Sequence, residues 1–225
     1  MKFSFQTSSL VLTPLLILLS FRSNSQYYDG DTSITQLGAH FKFTFRYSKD
    51  QSDDTIICLK NGKRIFQDTV DGYGPTVEFG FRDFNQDGMK DFISTSCGNT
   101  CISVLYFFDS ISKSFRRVNG FSDFPEALKI RGIKNLYYSY HHSGCADADW
   151  DSDLFTIWNF SCIHLANIHG LGCDDEEQMV VVSKINPNKK VLIVKLPIEV
   201  LDDFKDYKWG FIAEYWKKNW RKFVQ

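Results

Sequence analysis

The sequence predicts a mainly antiparallel β domain, of sandwich or partial-propeller type, that ends in a helical cap. Three observations carry that fold class. Apolar and polar residues alternate with period two, as in "AHFKFTFRY", where Phe41, Phe43, Phe45 and Tyr47 take one side and Lys42 and Arg46 the other; this is the pattern of a half-buried strand. Turn-forming pairs separate such stretches, led by Asn61-Gly62, a strong hairpin signal. Aromatic residues make up 16% of the chain, more than a helical bundle usually carries, and they favour pleated surfaces.

The elements follow in chain order. Lys2, the apolar run Leu10 to Leu19 and the small residues Ser23 and Ser25 before Gln26 form the pattern of a secretory signal peptide cut after Ser25. The alternative, a membrane anchor, needs roughly 20 apolar residues, about twice what is present. Residues 26–225 then suit a single domain with one good core. Strands are expected over 39–47, on both sides of Asn61-Gly62 within 55–69, and over 75–83 and 90–96. A hairpin over 101–118 turns near Asp109 to Lys113. Three strands over 133–144, 153–160 and 161–170 precede a last hairpin over 178–196, where Pro187 presets the turn. After Pro197 the spacing becomes helical over 198–207 and 209–223. Trp209, Ile212, Trp216, Trp220 and Phe223 fall on one stripe, with Lys217, Lys218 and Arg221 off it. A membrane-surface helix shares those features, but one stripe is enough to dock a helix on a β core, and that is the preferred reading.

The formal net charge is −1, and −3 once Lys2 and Arg22 of the leader are set aside. No basic stripe marks a nucleic-acid binder. Cys58, Cys97, Cys101, Cys145, Cys162 and Cys173 form an even set in an exported chain, which reads as disulfides. Cys97 and Cys101 flank the three-residue loop "GNT" and are expected to be bridged. If the three strands from Ile133 to Gly170 form a meander, the first and third run the same way, and Cys145 and Cys173 reach one edge and pair. Cys58 and Cys162 remain as a third pair or as buried thiols. A zinc site is the weaker alternative, since paired C-x2-C units are missing.

The stretch "DFNQDGMKD" concentrates the chemistry. Asp83, Asn85 and Asp87 occupy positions 1, 3 and 5, Gly88 permits the turn at position 6, Met89 offers its carbonyl at position 7, and Asp91 closes at position 9. Hard oxygen donors in this number suit Ca2+, whereas magnesium wants stricter octahedral geometry and zinc wants nitrogen or sulfur. The loop departs from an EF-hand, because position 12 is Ser94 rather than a bidentate Glu and both flanks read as strands.

A D-x-N-x-D-G-x-x-D loop between strands resembles the calcium loops of FG-GAP and integrin-propeller repeats, here in a single copy. The resemblance implies Asp83, Asn85, Asp87, Asp91 and the Met89 carbonyl as metal ligands. Leader, single loop and the hairpin "VLYFFDSISKSF" together also look like bacterial periplasmic calcium-binding proteins of the lysozyme-inhibitor-like kind. Inhibitors of that kind present an S-G-x-x-Y loop; Ser143-Gly144 matches its start, and Asp147 stands at the tyrosine position. That resemblance implies a protein partner, a cell-wall enzyme.

In "HHSGCADADWDSD", His141 and His142 precede Asp147, Asp149, Asp151 and Asp153. As a strand this run lines like charges on one face, so a solvated loop is the preferred reading, with a second metal site as the alternative. His164 and His169, five apart in a strand, are expected on opposite faces in structural roles. G-x-S-x-G, H-E-x-x-H, phosphate-loop and G-x-G-x-x-G motifs are missing, and no catalytic residue is assigned. The expectation is an exported calcium-binding module for a protein partner; the alternative is a secreted hydrolase built on His141 to Asp153.

Overall fold

The computed structural model describes residues 29–47, 54–70, 76–173, 177–187 and 189–224; the predicted signal peptide and its cut after Ser25 lie outside them. The fold is mainly β and antiparallel throughout its named sheets. The first sheet joins β1 (Gly30–Gln36), β2 (Ala39–Arg46), β3 (Asp54–Lys60) and β4 (Lys63–Val70) in chain order. The second joins β5 (Thr76–Arg82), β6 (Asp91–Cys97), β7 (Cys101–Asp109) and β8 (Ser114–Arg117) likewise. The third contains β9 (Leu128–Lys129), β10 (Leu136–Tyr138), β11 (His141–Gly144), β12 (Asp149–Trp158), β13 (Ser161–Leu171), β14 (Met179–Asn186) and β15 (Lys189–Pro197). Its order is β15-β14-β13-β12-β10-β9, with β11 also on β12. A 3-10 turn at Ile198–Asp203 leads to the helix α1 (Lys208–Asn219). No helix among the described residues is long and apolar enough to cross a membrane.

Local chemistry explains the hairpins. Asn61 and Gly62 take φ of 49° and 79°, the left-handed pair that a two-residue turn demands. The three sheets then share cores. Phe41, Phe43 and Ile56 of the first sheet pack with Phe92, Tyr106 and Phe115 of the second; Phe43 stacks on Phe92 at 3.8 Å. Ile93, Leu105 and Phe107, on the other side of the second sheet, pack with Tyr137, Phe155 and Ile157 of the third. Strand β6 is therefore buried on both faces, and Asp91, Phe92, Ile93 and Ser94 are all buried in succession. The third core lies between the far side of the third sheet and α1, where Trp150, Leu154 and Val180 meet Phe211, Ile212 and Trp216. The Trp216 indole N–H donates to Ser152 Oγ at 2.9 Å, so its one polar atom is satisfied.

Several expectations need correction. Strand β1, "GDTSITQ", is polar and half exposed along its length, and it gave no apolar signal to read. The strand expected over 133–144 breaks after Tyr138, because Ser139 N bonds Asp153 O while Tyr140 N turns to Pro125 O. Where a helix was expected over 198–207, Ile198–Asp203 form a 3-10 turn; Asp206 and Tyr207 follow with φ of 70° and 55°, which ends any continuous helix before α1. Trp209 leaves the predicted stripe: it is 46% exposed and stands over the Tyr140 ring at 3.9 Å. Phe211 fills the core instead.

Both predicted disulfides are present. Cys97–Cys101 closes the β6–β7 hairpin with Cα atoms 4.1 Å apart. The β11–β12–β13 meander places Cys145 and Cys173 at one edge, bridged with Cα atoms 6.2 Å apart. Cys58 and Cys162 are free thiols in two different cores, and burial pushes each up to about 12. Loop closure ranks the bridges. Replacing Cys145 and Cys173 by Ala opens a span of 28 residues and is expected to cost about 3.6 kcal/mol, against about 2 kcal/mol for the Cys97–Cys101 bridge. Urea unfolding of the two double variants measures the order, and a larger loss at Cys97–Cys101 contradicts it.

Candidate metal centre

The last pair between β5 and β6 is Arg82 with Asp91, so residues 83–90 form the connecting loop. Gln86 and Gly88 take φ of 58° and 91°, and Gly88 supplies the turn at the position where a side chain is most costly. The side chains of Asp83, Asn85 and Asp87 fold back onto this turn. Asp83 accepts N–H groups from Asp87 and Gly88, each at 3.0 Å. Asn85 Oδ1 accepts from Asp87 N at 2.9 Å, and Asp87 Oδ1 from Met89 N at 2.8 Å. The predicted ligands at positions 1, 3 and 5 thus sit around one small arc of backbone.

Asp91 is different. It is fully buried, and its carboxylate accepts three backbone N–H groups: Phe84 at 3.0 Å, Asn85 at 3.3 Å and Phe108 at 3.0 Å. Two of those donors belong to the loop and the third to β7, so Asp91 stitches loop to sheet. Burial pushes its carboxyl up to about 7, the Phe108 and Asn85 N–H bonds pull the other way, and the Asp87 charge adds to the rise. A carboxylate has roughly four lone-pair sites, so one remains for a cation. Every donor in the set is oxygen, the ligand type that calcium takes, but the Asp83, Asp87 and Asp91 carboxylates do not draw together as one tight cluster.

Anchors on both flanks fix the loop. Phe84 stacks on Tyr137 at 5.4 Å and meets Phe121 edge-on at 5.3 Å, while Met89 packs into the core between the first two sheets. The amide of Gln36 spans the Lys90 backbone, accepting from its N–H at 2.8 Å and donating to its carbonyl at 3.2 Å. Lys129 donates to the Asn85 carbonyl. The Lys129 and Gln36 braces leave no local signal in the sequence, because their partners lie 44 and 54 residues away.

The His141 to Asp153 run divides between two sites. Its second half is a strand and not the solvated loop expected: β12 starts at Asp149. The repulsion between carboxylates is offset by imidazole and amide donors on β13. Asp151 Oδ1 accepts from Asn167 Nδ2 and faces His169 Nδ1, both at 2.9 Å. Asp153 Oδ1 meets the same amide and His164 Nε2, again at 2.9 Å. Burial pushes the Asp153 carboxyl up, but His164 and Asn167 outweigh it and hold it below the usual range. His164 and His169 therefore serve the same row of carboxylates, contrary to the opposite faces expected. An irregularity between Leu154 and Phe155 pairs Leu154 with Ala166 and Phe155 with His164, so Leu165 is an extra residue and reverses the parity.

The first half of the run gathers around Asp147. Its carboxylate binds Tyr140 Oη, His142 Nδ1 at 2.5 Å and the largely buried Lys208 Nζ at 2.5 Å. Burial pushes the Asp147 carboxyl up, and the Lys208, Tyr140 and His142 bonds more than offset it. Cys145, Ala146 and Asp147 take φ of 50°, 49° and 78° in succession, a costly run for residues with Cβ. His142, Gly144 and Asp147 line an open cleft of about 440 Å³ with Asn99 of the Cys97–Cys101 loop. Asp149 lies beside the Cys145–Cys173 bridge, whose sulfurs are spent on each other, and it accepts N–H groups from Gly172 and Cys173. Among the described residues, Asp149 is the one carboxylate of this run that joins a cluster of three close metal-ligating groups, and its two neighbours there are the bridged sulfurs.

No protein-family model matches the chain, and no curated protein matches it. A solved structure of a Xanthomonas type IV secretion system related protein is similar over 74% of this chain and 94% of its own, at 13% identity and a TM-score of 0.45. That likeness is too slight to carry an argument.

The Asp91 seat yields a pH prediction. Its folded pKa lies above the ordinary value of 3.8, so the folded state holds a proton that the unfolded state has lost, and this group's contribution to stability falls as pH rises through about 7. In the presence of a chelator, the stability of the wild type relative to Asp91→Asn is expected to rise as pH drops from 8 to 5. Denaturant unfolding at both pH values measures this, and a constant difference refutes the raised pKa.

Proposed function

We propose that the chain is an exported calcium-binding β module that presents a recognition surface to a protein partner and has no catalytic role. One observation supports the reading: the side chains of Asp83, Asn85 and Asp87 fold onto the turn at Gly88, and the buried Asp91 holds the backbone of the same loop, with only oxygen donors in the set. The Cys97–Cys101 and Cys145–Cys173 bridges are compatible with an oxidising compartment outside the cytosol. Calcium, held by Asp83, Asn85, Asp87, Asp91 and the Met89 carbonyl, stiffens one end of β6. The Cys97–Cys101 bridge closes the other, so Gly98 to Thr100 and the facing His142–Asp147 segment form the surface. A cell-wall enzyme is the partner class implied by the resemblance to lysozyme-inhibitor-like proteins.

A second reading has its own observation. The short His142–Asp147 contact, with Lys208 on the same carboxylate, resembles an oriented general base at a cleft, which favours a hydrolase. Loss of a hydrolytic activity in His142→Ala, with the fold intact and calcium still bound, would move that reading ahead.

Calorimetric titration of residues 26–225 is expected to show one calcium with Kd of roughly 10⁻⁴ to 10⁻³ M. Asp87→Ala is expected to abolish the heat without unfolding the chain. Absence of heat in the wild type, or unchanged binding in the variant, removes the metal assignment.

A further inference from the structure

A cleft of about 500 Å³ lies between the loop at Asp83 to Gln86, the strand β9 and the outer face of α1. Four cations line it: Arg82, Lys129, Arg131 and Lys217. Arg82 closes β5, Lys129 and Arg131 sit at and just after β9, and Lys217 is on α1, so three distant parts of the chain converge here through the tertiary structure. Arg131 and Lys217 have no ion pair or hydrogen bond among the described residues. Arg82 makes one long contact, 3.7 Å to the exposed Glu78, and leans on the Phe84 ring at 5.2 Å. Lys129 holds a backbone carbonyl and already lies in the field of the Asp83, Asp87 and Asp91 carboxylates, so it is the least available of the four. Asp83 is the acidic residue of the wall; its carboxylate accepts two backbone N–H groups and keeps its charge. Between the cations the lining is apolar: Leu128, which is 54% exposed, with Ile130 and Tyr138.

We propose that this cleft is a binding site for an acidic peptide segment of a protein, with carboxylates on the four cations and an apolar side chain on Leu128. The charge complementarity argues for the anion, because among the described residues Arg131 and Lys217 make no ion pair and Arg82 makes only one long one, so they raise the local potential of the concavity and draw the opposite charge. The apolar lining argues for a peptide over a bare anion, since an inorganic ion leaves Leu128 uncovered. The site rests on the reading of the chain as a binding module, but it does not need the metal. It lies at the loop end of β6, away from the Cys97–Cys101 tip, so it is a second surface and not part of the first.

The probe is a fluorescently labelled peptide alternating Glu and Leu, followed by anisotropy at about 50 mM salt, where surface charges are weakly screened. The wild type is expected to bind it and to ignore a Lys-Leu peptide of the same length. The double variant Arg131→Glu, Lys217→Glu, at exposed positions that leave the cores untouched, is expected to lose at least about tenfold in affinity. Lys195→Glu, on the opposite edge of the third sheet, is the control for net charge and is expected to change little. Equal binding by the double variant, an equal loss in the control, or no binding by the wild type overturns the proposal. Tighter binding of an oligothymidylate of equal charge overturns the peptide assignment. Calcium titration of the double variant separates this result from the metal: heat retained with peptide binding lost supports the cleft, whereas heat absent from wild type and variant alike fails the metal reading and leaves the cleft to its own test.

Discussion

The structure depends on one buried carboxylate. Asp91 stands at the first position of a strand buried on both faces, where an unpaired charge costs several kcal/mol. Three backbone N–H groups make that position tolerable, and they come from the loop before it and from the neighbouring strand. Loop geometry, the β6–β7 register and the two cores on either side of Phe92 and Ile93 therefore share a single electrostatic joint. Remove it and the donors are orphaned together, in a place that water does not reach.

In the proposed reading, calcium would be a structural counter-charge. The Asp87 charge bears on Asp91, and Lys129 stands in the field of Asp83, Asp87 and Asp91. An ion on the same oxygens would convert the joint into a rigid corner. Strand β6 then runs from that corner to the Cys97–Cys101 bridge, which faces the segment around Asp147. The left-handed run at Cys145, Ala146 and Asp147 is held by the Cys145–Cys173 bridge and by Lys208, so its shape also depends on contacts far away in the chain.

Local features of this fold were legible in the sequence, and long-range partnerships were not. The Asn61-Gly62 turn, the D-x-N-x-D-G loop and the Cys97–Cys101 closure depend on a few adjacent residues, so their chemistry is written in one stretch. The Cys145–Cys173 bridge was readable because an antiparallel meander fixes which ends coincide. The row of carboxylates on β12 was seen as a hazard, yet its solution was hidden, because the extra residue Leu165 shifts the parity of His164 relative to His169. One such residue exchanges the faces of a strand, and no alternation pattern announces it. Lys129 and Gln36 brace the loop from elements remote in sequence, and Trp209, off its stripe, packs on the Tyr140 ring. Those pairings exist only once the register does.

The most direct test of this account is amide hydrogen exchange at Phe108, with and without calcium. Phe108 lies on β7, outside the loop, and its N–H bonds Asp91 Oδ1. If the ion and the buried carboxylate form one unit, calcium at about a hundredfold excess over Kd is expected to slow exchange at Phe84, Asn85 and Phe108 together, by up to roughly a hundredfold. Slowing confined to the loop amides, with Phe108 exchanging at the same rate in both conditions, would contradict it.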